Sequence, residues 1–256
     1  MRHVIQRIDP RLSDVLNQLD GTAIGTAFFD RVKEFASSAA LGEPVNRGQA
    51  LVSYSWLLER AAADELPLTA AGYLRPAAVI EFAEVLPTMR TWIFHIGREI
   101  DTKPVLYFRE SLQRIKLLRK YKGHLLLTRA AHAMFANPEL LWAGLAERLI
   151  PSDSEFVEAA SVIILVHMAT SDGRVDMDVV ARSLTQMGWA LADGDQIDAG
   201  DVWPVYNELW ELLGNVGDEV VRNSAPGRFF DRKLSREAIA LAHDALFTEV
   251  SSEPTE

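Results

Sequence analysis

The spacing of apolar residues is the feature that most constrains this fold. It has a helical period along most of the chain and changes clearly to a strand pattern in the middle. In 103–115 the apolar positions recur at helical intervals, as Val105, Phe108, Leu112 and Ile115. The period then changes, and 117–121 and 124–128 are typical of two short strands. Lys122 and Gly123 between them are typical of a tight turn. The pattern predicts a mainly α fold that contains a local β-hairpin.

Helical periodicity before residue 67 predicts an N-terminal layer of helices. The predicted helices span 10–19, 22–39 and 48–63. Asn46 is placed to cap the third of them, since its side-chain oxygen can accept a hydrogen bond from a free backbone amide. We assign 1–66 to this layer as the first domain.

The middle of the chain predicts three helices followed by the hairpin. Their predicted bounds are 76–86, 88–97 and 103–115, and Trp92, Ile93 and Ile96 of the second helix are predicted to face the core. This is the element order of a winged helix-turn-helix, in which the third helix can enter a major groove while the tip of the hairpin touches the DNA backbone. We assign 67–150 to a winged-helix-like basic unit.

The remaining residues, 151–256, form a third predicted unit whose plan is similar. Its predicted helices are 154–169, 175–189 and 201–213. Two strands, 219–223 and 228–234, are predicted next, and Ser235 is placed to cap a closing helix that runs through Val250. Two interpretations stay open: the unit repeats the winged-helix plan with a second, acidic wing, or it is an unrelated helical unit.

Charge is distributed unevenly in a chain of 256 residues whose net charge is −10. The basic segment, 90–129, holds ten basic and three acidic residues and has a net charge of +7. No Lys or Arg occurs in 183–221, whose eight acidic residues lie in 193–219, the acidic segment. This balance excludes a wholly basic nucleic-acid coat protein.

The basic segment and the predicted winged helix together predict a non-enzymatic regulator that binds double-stranded DNA. The apolar stripe leaves the outward-facing side of the third helix to Tyr107, Ser111, Gln113 and Arg114. The predicted readers of base edges are Arg109, Gln113 and Arg114. The predicted phosphate contacts on the wing are Arg119, Lys120 and Lys122, and Lys116 completes the predicted DNA-binding set. Glu110 opposes this interpretation, because it lies on the same surface.

An alternative assigns the same charges to protein contacts. The basic segment then pairs with the acidic segment within one subunit or between two, in an interaction module that does not bind DNA. Trp203 and Trp210 in the acidic segment are candidate anchors for a homodimer or another protein, since tryptophan is common in interfaces.

Catalytic and nucleotide-binding motifs are absent from the sequence. It contains no cysteine, no glycine-rich dinucleotide or phosphate loop, no nucleophile elbow and no zinc-protease helix. The stretch 193–201 resembles a calcium loop, but Ile197 occupies the fifth ligand position and Pro204 the twelfth. We expect a solvated acidic loop.

A second cluster combines His167 with Asp172, Asp176 and Asp178. It is the basis of a third hypothesis, a hydrolase or metal enzyme. A turn after one helix and the acidic first turn of the next explain these carboxylates equally well. We therefore expect no enzyme activity, cofactor or metal.

The sequence shows no secretory or membrane signal. Its N-terminus lacks an apolar segment of signal-peptide length. The longest apolar run, 156–169, is interrupted by Glu158 and His167 and is shorter than a membrane span of about 20 residues. We expect a cytoplasmic protein of bacterial type.

Two passages of the sequence resemble a known family. They are Leu68-Thr-Ala-Ala-Gly-Tyr-Leu74 and Ile115-Lys-Leu-Leu-Arg-Lys-Tyr-Lys-Gly-His-Leu-Leu-Leu-Thr128. The pair resembles an uncharacterised family of plasmid-type open reading frames, common in high-GC Gram-positive bacteria, over about 66–149. The second passage is also similar to the third helix and wing of bacterial winged-helix regulators, which often carry Gly where this chain has Ala130-Ala131. The resemblance implies a winged-helix-like segment and assigns no activity.

Overall fold

The structure is a computed structural model that describes residues 4–37, 44–152, 154–218, 221–222 and 232–251. These residues form twelve α-helices, two 3₁₀ turns and six short strands. The prediction of a mainly α fold is confirmed. None of the described helices is long and apolar enough to cross a membrane.

The elements follow one another in three groups. The first comprises β1 (Val4–Ile8), α1 (Pro10–Leu19), α2 (Ala23–Ala36), α3 (Arg47–Ala50) and α4 (Val52–Ala62). The second comprises α5 (Pro76–Val85), α6 (Lys103–Arg114), β2 (Leu118–Tyr121), β3 (His124–Leu127), α7 (Arg129–His132) and α8 (Pro138–Arg148). The third comprises α9 (Glu155–Thr170), α10 (Met177–Gln186), α11 (Ala199–Leu213), β4 (Val221–Arg222), β5 (Arg232–Lys233), α12 (Arg236–Leu246) and β6 (Phe247–Ser251).

The N-terminal helices begin where the sequence places a capping side chain. Asn46 Oδ1 accepts a hydrogen bond from the amide of Gln49 at 3.1 Å, as predicted. The predicted helix over 48–63 is divided at Leu51 into α3 and α4. Residues 38–39 of the predicted second helix lie outside the described residues.

The predicted helix over 88–97 is wrong. A 3₁₀ turn occupies Pro87–Thr91, and a second one, Glu99–Asp101, precedes α6. The side chain of Asn215 accepts from both the amide and the hydroxyl of Thr88, at 3.2 and 2.9 Å, so a distant residue fixes this turn. Ile93, predicted to face the core, is 76% exposed.

The predicted hairpin is confirmed. Strands β2 and β3 pair antiparallel, with Leu118 opposite Leu127. Lys122 and Gly123 join them with φ values of 47° and 77°. Positive φ at both central residues is the geometry of the type I′ turn, which matches the twist of paired strands. We call β2, this turn and β3 the wing.

A third short segment, 66–68, lies alongside the wing. Leu125 donates its amide to the carbonyl of Leu66 at 3.0 Å, and Leu68 donates to Gly123 at 2.7 Å. The order in this region is therefore α4, the segment 66–68, α5, α6 and the wing.

The third group follows the predicted order of three helices, a strand pair and a closing helix. Val221 pairs with Lys233, and Arg222 pairs with Arg232. The rest of the two predicted strands, 219–220 and 223–231, lies outside the described residues. The internal repeat, like the division into three units, stays a prediction.

The closing helix ends earlier than the sequence indicates. It was predicted to run through Val250, but α12 ends at Leu246. The next residues form β6, which pairs antiparallel with β1, so that Phe247 lies opposite Ile8. The backbone of the two terminal segments is thereby satisfied by mutual hydrogen bonding.

Helix α9 lies at the centre of the molecule, as its apolar sequence predicts. Its residues from Ala160 to Met168 are all buried. It packs against α1, α2, α10, α11 and α12. A helix that is apolar all round needs neighbours on every side, and these five supply them.

The C-terminal end of α11 is hydrogen-bonded to the region around α4. Tyr54 donates its hydroxyl to the carbonyl of Leu212 at 2.8 Å, and Gly217 donates its amide to Ala50 at 2.8 Å. Asn215, which is fully buried, binds Thr88 as described above. These bonds fix where the acidic segment lies against the basic one.

Replacing Asn215 should weaken the contact between the end of α11 and the turn that contains Thr88. We expect Asn215→Ala to lower the free energy of unfolding by about 2–4 kcal/mol, because a buried polar group left unsatisfied costs about 1–3 kcal/mol and Thr88 would have two. Urea unfolding followed by circular dichroism measures the change. The control is Asn46→Ala, which removes an exposed helix cap and should cost about 1 kcal/mol. Equal losses in the two variants would contradict this assignment.

Candidate functional site

The predicted DNA-binding residues lie on two elements, α6 and the wing. The buried stripe of α6 contains Val105, Phe108 and Leu112, as the periodicity predicts. Arg109 and Ser111 are also buried, each 1% exposed. The prediction that Ser111 faces outward, and that Arg109 reads bases, is therefore wrong.

Arg109 is buried because an acidic partner meets it from the preceding 3₁₀ turn. Its Nε lies 2.9 Å from Glu99 Oε1, and its Nη2 lies 3.2 Å from Glu99 Oε2. Glu99 Oε2 also accepts from the amide of Leu74 at 2.7 Å. A buried ion pair is tolerated when such hydrogen bonds satisfy both charges. This arrangement ties the turn before α5 to α6.

The two other predicted readers are also engaged. Gln113 is half-buried, and its Oε1 accepts a hydrogen bond from Arg109. Arg114 is 46% exposed, and its Nη1 lies 3.2 Å from Glu208 Oε2 on α11. The outward-facing side of α6 is thus narrower than predicted.

Four cations of the basic segment form ion pairs within the chain. They are Arg90 with Asp218, Arg98 with Asp101, Arg109 with Glu99, and Arg114 with Glu208. Two of these four partners, Asp218 and Glu208, belong to the acidic segment. Two ion pairs therefore join the basic segment to the acidic segment among the described residues.

The other six cations of the basic segment are exposed and form no ion pair with any described residue. They are Lys103, Lys116, Arg119, Lys120, Lys122 and Arg129. Four of the six lie within residues 116–122. The unpaired positive charge is concentrated on the wing and at its base.

The outer face of the wing carries an aromatic ring between two cations. Tyr121 is 48% exposed. The guanidinium of Arg119 lies 5.0 Å from its ring centroid, and Lys122 Nζ lies 5.3 Å from it. Such contacts hold the cations over the ring while their polar atoms stay accessible to an anion.

Lys120 points to the other side of the wing. Alternation along β2 places it on the face of Leu118, and its Nζ approaches Gly72, where no side chain intervenes. Partial burial and the nearby Arg109 lower the pKa of Lys120. Lys120 and Arg119, which are adjacent in β2, therefore lie on opposite faces of the wing.

Lys116 stands at the base of the wing in a left-handed backbone conformation, with φ 61°. Its carbonyl accepts from the hydroxyl of Thr128 at 2.6 Å. The same hydroxyl accepts from the amide of Ala131 and so caps α7. Arg129 begins α7 directly after Thr128, and the bond from Thr128 to Lys116 therefore brings Arg129 near the base of the wing.

The second histidine and carboxylate cluster is accounted for by helix capping. Asp176 caps α10, and Asp178 lies in its first turn, as predicted. Asp172 pairs with Lys233 at 3.3 Å. Within the described residues no three His, Asp or Glu side chains are grouped as metal ligands.

Two ionisable groups, the buried His167 and the partly buried Glu211, have displaced pKa values. Burial, with a smaller contribution from Arg31, lowers the pKa of His167 to about 4. Its ring stacks on Phe28 with centroids 6.1 Å apart. Burial raises the pKa of Glu211 to about 7, against the opposing effect of Arg232.

The tryptophans of the acidic segment do not form an exposed interface. Trp210 is buried, so the prediction that it anchors a partner is wrong. Trp203 is partly buried against the core and lies 5.2 Å from the ring of Tyr206. The amphipathic spacing of α11 turns both rings towards the molecule's own core. The acidic loop is also locally satisfied, since Asp198 and Asp201 form a capping box at the start of α11.

The chain is similar to one protein family. A family model described as the Y4jL N-terminal domain matches residues 51–140, which is 90 of the 256 residues. The match extends from the start of α4 to the first turn of α8 and includes the wing. It supports the resemblance to an uncharacterised open-reading-frame family. No curated protein and no solved structure matches the chain.

The buried ion pair predicts a large effect of one substitution on α6. We expect Arg109→Met to lower the free energy of unfolding by about 3–5 kcal/mol, because it leaves Glu99 buried without a counter-charge. Chemical denaturation measures the loss. The control Arg119→Met removes an exposed guanidinium and should cost less than about 1 kcal/mol. If Arg109 were an exposed DNA contact, the two variants would be equally stable.

The two displaced pKa values predict opposite effects of pH. The ordinary pKa of histidine is about 6.5. Below pH 6.5 His167 is protonated in the unfolded chain, but in the folded protein it stays neutral until about pH 4. Acidification therefore destabilises the fold by up to about 3 kcal/mol. Glu211 keeps its proton up to about pH 7 in the fold but loses it near pH 4.5 when unfolded, so raising the pH destabilises.

Two neutral variants separate these effects. Relative to the unmodified protein, we expect His167→Gln to gain stability as the pH falls from 7 to 4.5. We expect Glu211→Gln to gain stability as the pH rises from 5 to 8. Urea midpoints across this pH range test both. Parallel curves for all three proteins would contradict the assignments.

Proposed function

We propose that this protein is a non-enzymatic regulator that binds double-stranded DNA through the wing. The observation that carries the proposal is the concentration of unpaired cations on the wing and at its base, around the exposed ring of Tyr121. Lys and Arg side chains of this kind contact phosphate oxygens and release condensed counterions.

The order of elements supports the proposal. A winged helix consists of a helix, a short strand, two further helices and a hairpin that pairs with that strand. The segment 66–68, which an isolated bridge and backbone hydrogen bonds join to the wing, takes the place of that short strand. The chain departs from this plan in the connection between α5 and α6, residues 86–102, which is longer than the three or four residues usual in a helix-turn-helix.

The contacts of α6 favour backbone binding over base reading. Arg109 is sequestered by Glu99, and Arg114 is paired with Glu208. Glu110 remains exposed between Tyr107 and Arg114, where it would repel phosphate. The proposed contacts are therefore Lys116, Arg119 and Lys122, with Lys120 and Arg129 beside them. Binding that rests on such contacts tolerates changes of DNA sequence.

A second function is favoured by a different observation. Arg114–Glu208 and Arg90–Asp218 join the basic and acidic segments within one chain. In addition, Ile93 and Phe94 expose 76% and 65% of their surface in the connection before α6. Exposed apolar groups of this size mark protein contacts when they form a patch. This alternative is a protein-interaction module that does not bind DNA.

Salt dependence and charge reversal test the proposal. Fluorescence anisotropy of a labelled mixed-sequence duplex is measured at low and moderate salt. With about four phosphates contacted, the logarithm of the affinity should fall with the logarithm of salt concentration at a slope of about −3.6. We expect the Arg119→Glu/Lys122→Glu variant to bind at least about tenfold more weakly, because two phosphate contacts become repulsive.

The matched control is Lys33→Glu/Arg182→Glu, which changes the net charge equally on α2 and α10. Because both double variants change the net charge by the same amount, the control measures the effect of net charge alone. We expect its DNA affinity to stay close to that of the unmodified protein. No binding at low salt by a folded protein, or equal losses in the two double variants, would contradict DNA binding by the wing. The protein-interaction alternative would then be preferred.

A further inference from the structure

A cleft of about 540 Å³ lies at the base of the wing, where Lys116 contributes to its lining. It is bounded by the end of α6, the loop 149–152, the start of α9 and the middle of α11. Clefts of this volume are typical of binding sites for small organic molecules. It is separate from the surface of Arg119 and Lys122.

Eight of the sixteen residues that line the cleft are apolar. They include Ile115, Leu149, Ile150, Val157 and Leu209. Side chains from four parts of the chain thus converge on one space, and they would remove the apolar part of a ligand from water.

The charged groups of the cleft leave one positive charge unbalanced. Arg114 is paired with Glu208, and Arg148 is paired with Glu147, and all four line the cleft. The fifth charged residue, Lys116, forms no ion pair with any described residue. A ligand with a single negative charge would neutralise it.

The floor of the cleft contains a polar atom that lacks a partner. Ser161 on α9 is fully buried, and among the described residues no group hydrogen-bonds its Oγ. A serine within a helix ordinarily bonds to the carbonyl four residues earlier, and this one does not. A buried hydroxyl without a partner costs free energy, which a polar atom of a ligand would recover.

We propose that this cleft binds a small amphipathic carboxylate, with its carboxylate at Lys116 and the hydroxyl of Ser161 and its apolar body against the apolar side chains of the walls. A carboxylate fits better than a phosphate monoester, which carries nearly two negative charges at neutral pH and meets only one unbalanced cation. The proposal does not depend on DNA binding by the wing.

The test compares head groups on constant apolar bodies. The full chain is titrated by calorimetry with 4-phenylbutyrate, 4-phenylbutanol and 4-phenylbutylamine, and with decanoate and decanol. We expect each carboxylate to bind at least tenfold more tightly than its alcohol, and the amine not to bind. If no carboxylate binds, or if acid and alcohol bind equally, the proposal is overturned.

Two lysines provide a matched pair of variants. Lys116 and Lys122 both have positive φ, which asparagine tolerates, so neither Lys116→Asn nor Lys122→Asn should unfold the protein. We expect Lys116→Asn to weaken carboxylate binding about tenfold and to leave alcohol binding unchanged. Lys122→Asn, outside the cleft, should change neither. Equal behaviour of the two variants overturns the proposal.

Ser161→Ala separates a ligand contact from a structural role. Removing an unpaired buried hydroxyl should leave the melting temperature unchanged or raise it, while carboxylate affinity falls. A lower melting temperature with unchanged affinity would show that the hydroxyl serves the fold and would overturn its role in the site.

Discussion

The buried pair of Arg109 and Glu99 determines how the middle of this molecule is arranged. Glu99 receives the guanidinium of Arg109 and the amide of Leu74 together, so one carboxylate positions a turn, a 3₁₀ segment and α6. Because charges removed from water must be matched closely, this geometry permits little rotation of α6. The side of α6 that remains outside is consequently short of cations, and the positive surface lies on the wing.

The acidic half of the chain limits that surface further. Three hydrogen-bonding residues hold the end of α11 against α4 and the turn after α5: Tyr54 and Gly217 donate, and Asn215 accepts from Thr88. This position brings Glu208 to Arg114 and Asp218 to Arg90. The same packing therefore balances the charge of α6 and leaves the wing unbalanced, which is why phosphate contact by the wing is a more consistent proposal than base reading by the helix.

The proposed ligand cleft arises from the same junction. Its walls come from α6, the loop 149–152, α9 and α11, and it exists because α11 packs against α6 while α9 lies at the centre of the core. Lys116 and Ser161 are the groups in it whose charge or hydrogen-bonding capacity is not matched by a described neighbour. Unmatched polar groups in a well-packed molecule are the places where binding recovers free energy without breaking existing contacts.

The sequence by itself determined the features that depend on near neighbours. Helical periodicity located α6 and α9, the Lys122-Gly123 pair determined the turn of the wing, and the caps at Asn46 and Ser235 marked helix starts. Tertiary structure alone decided that Arg109 is buried, that 88–97 is not a helix and that 66–68 joins the wing. Their partners are Glu99, Asn215 and Leu125, which lie between ten and 127 residues away. Local propensity is a weak preference, and a buried charge or amide takes the partner that packing supplies.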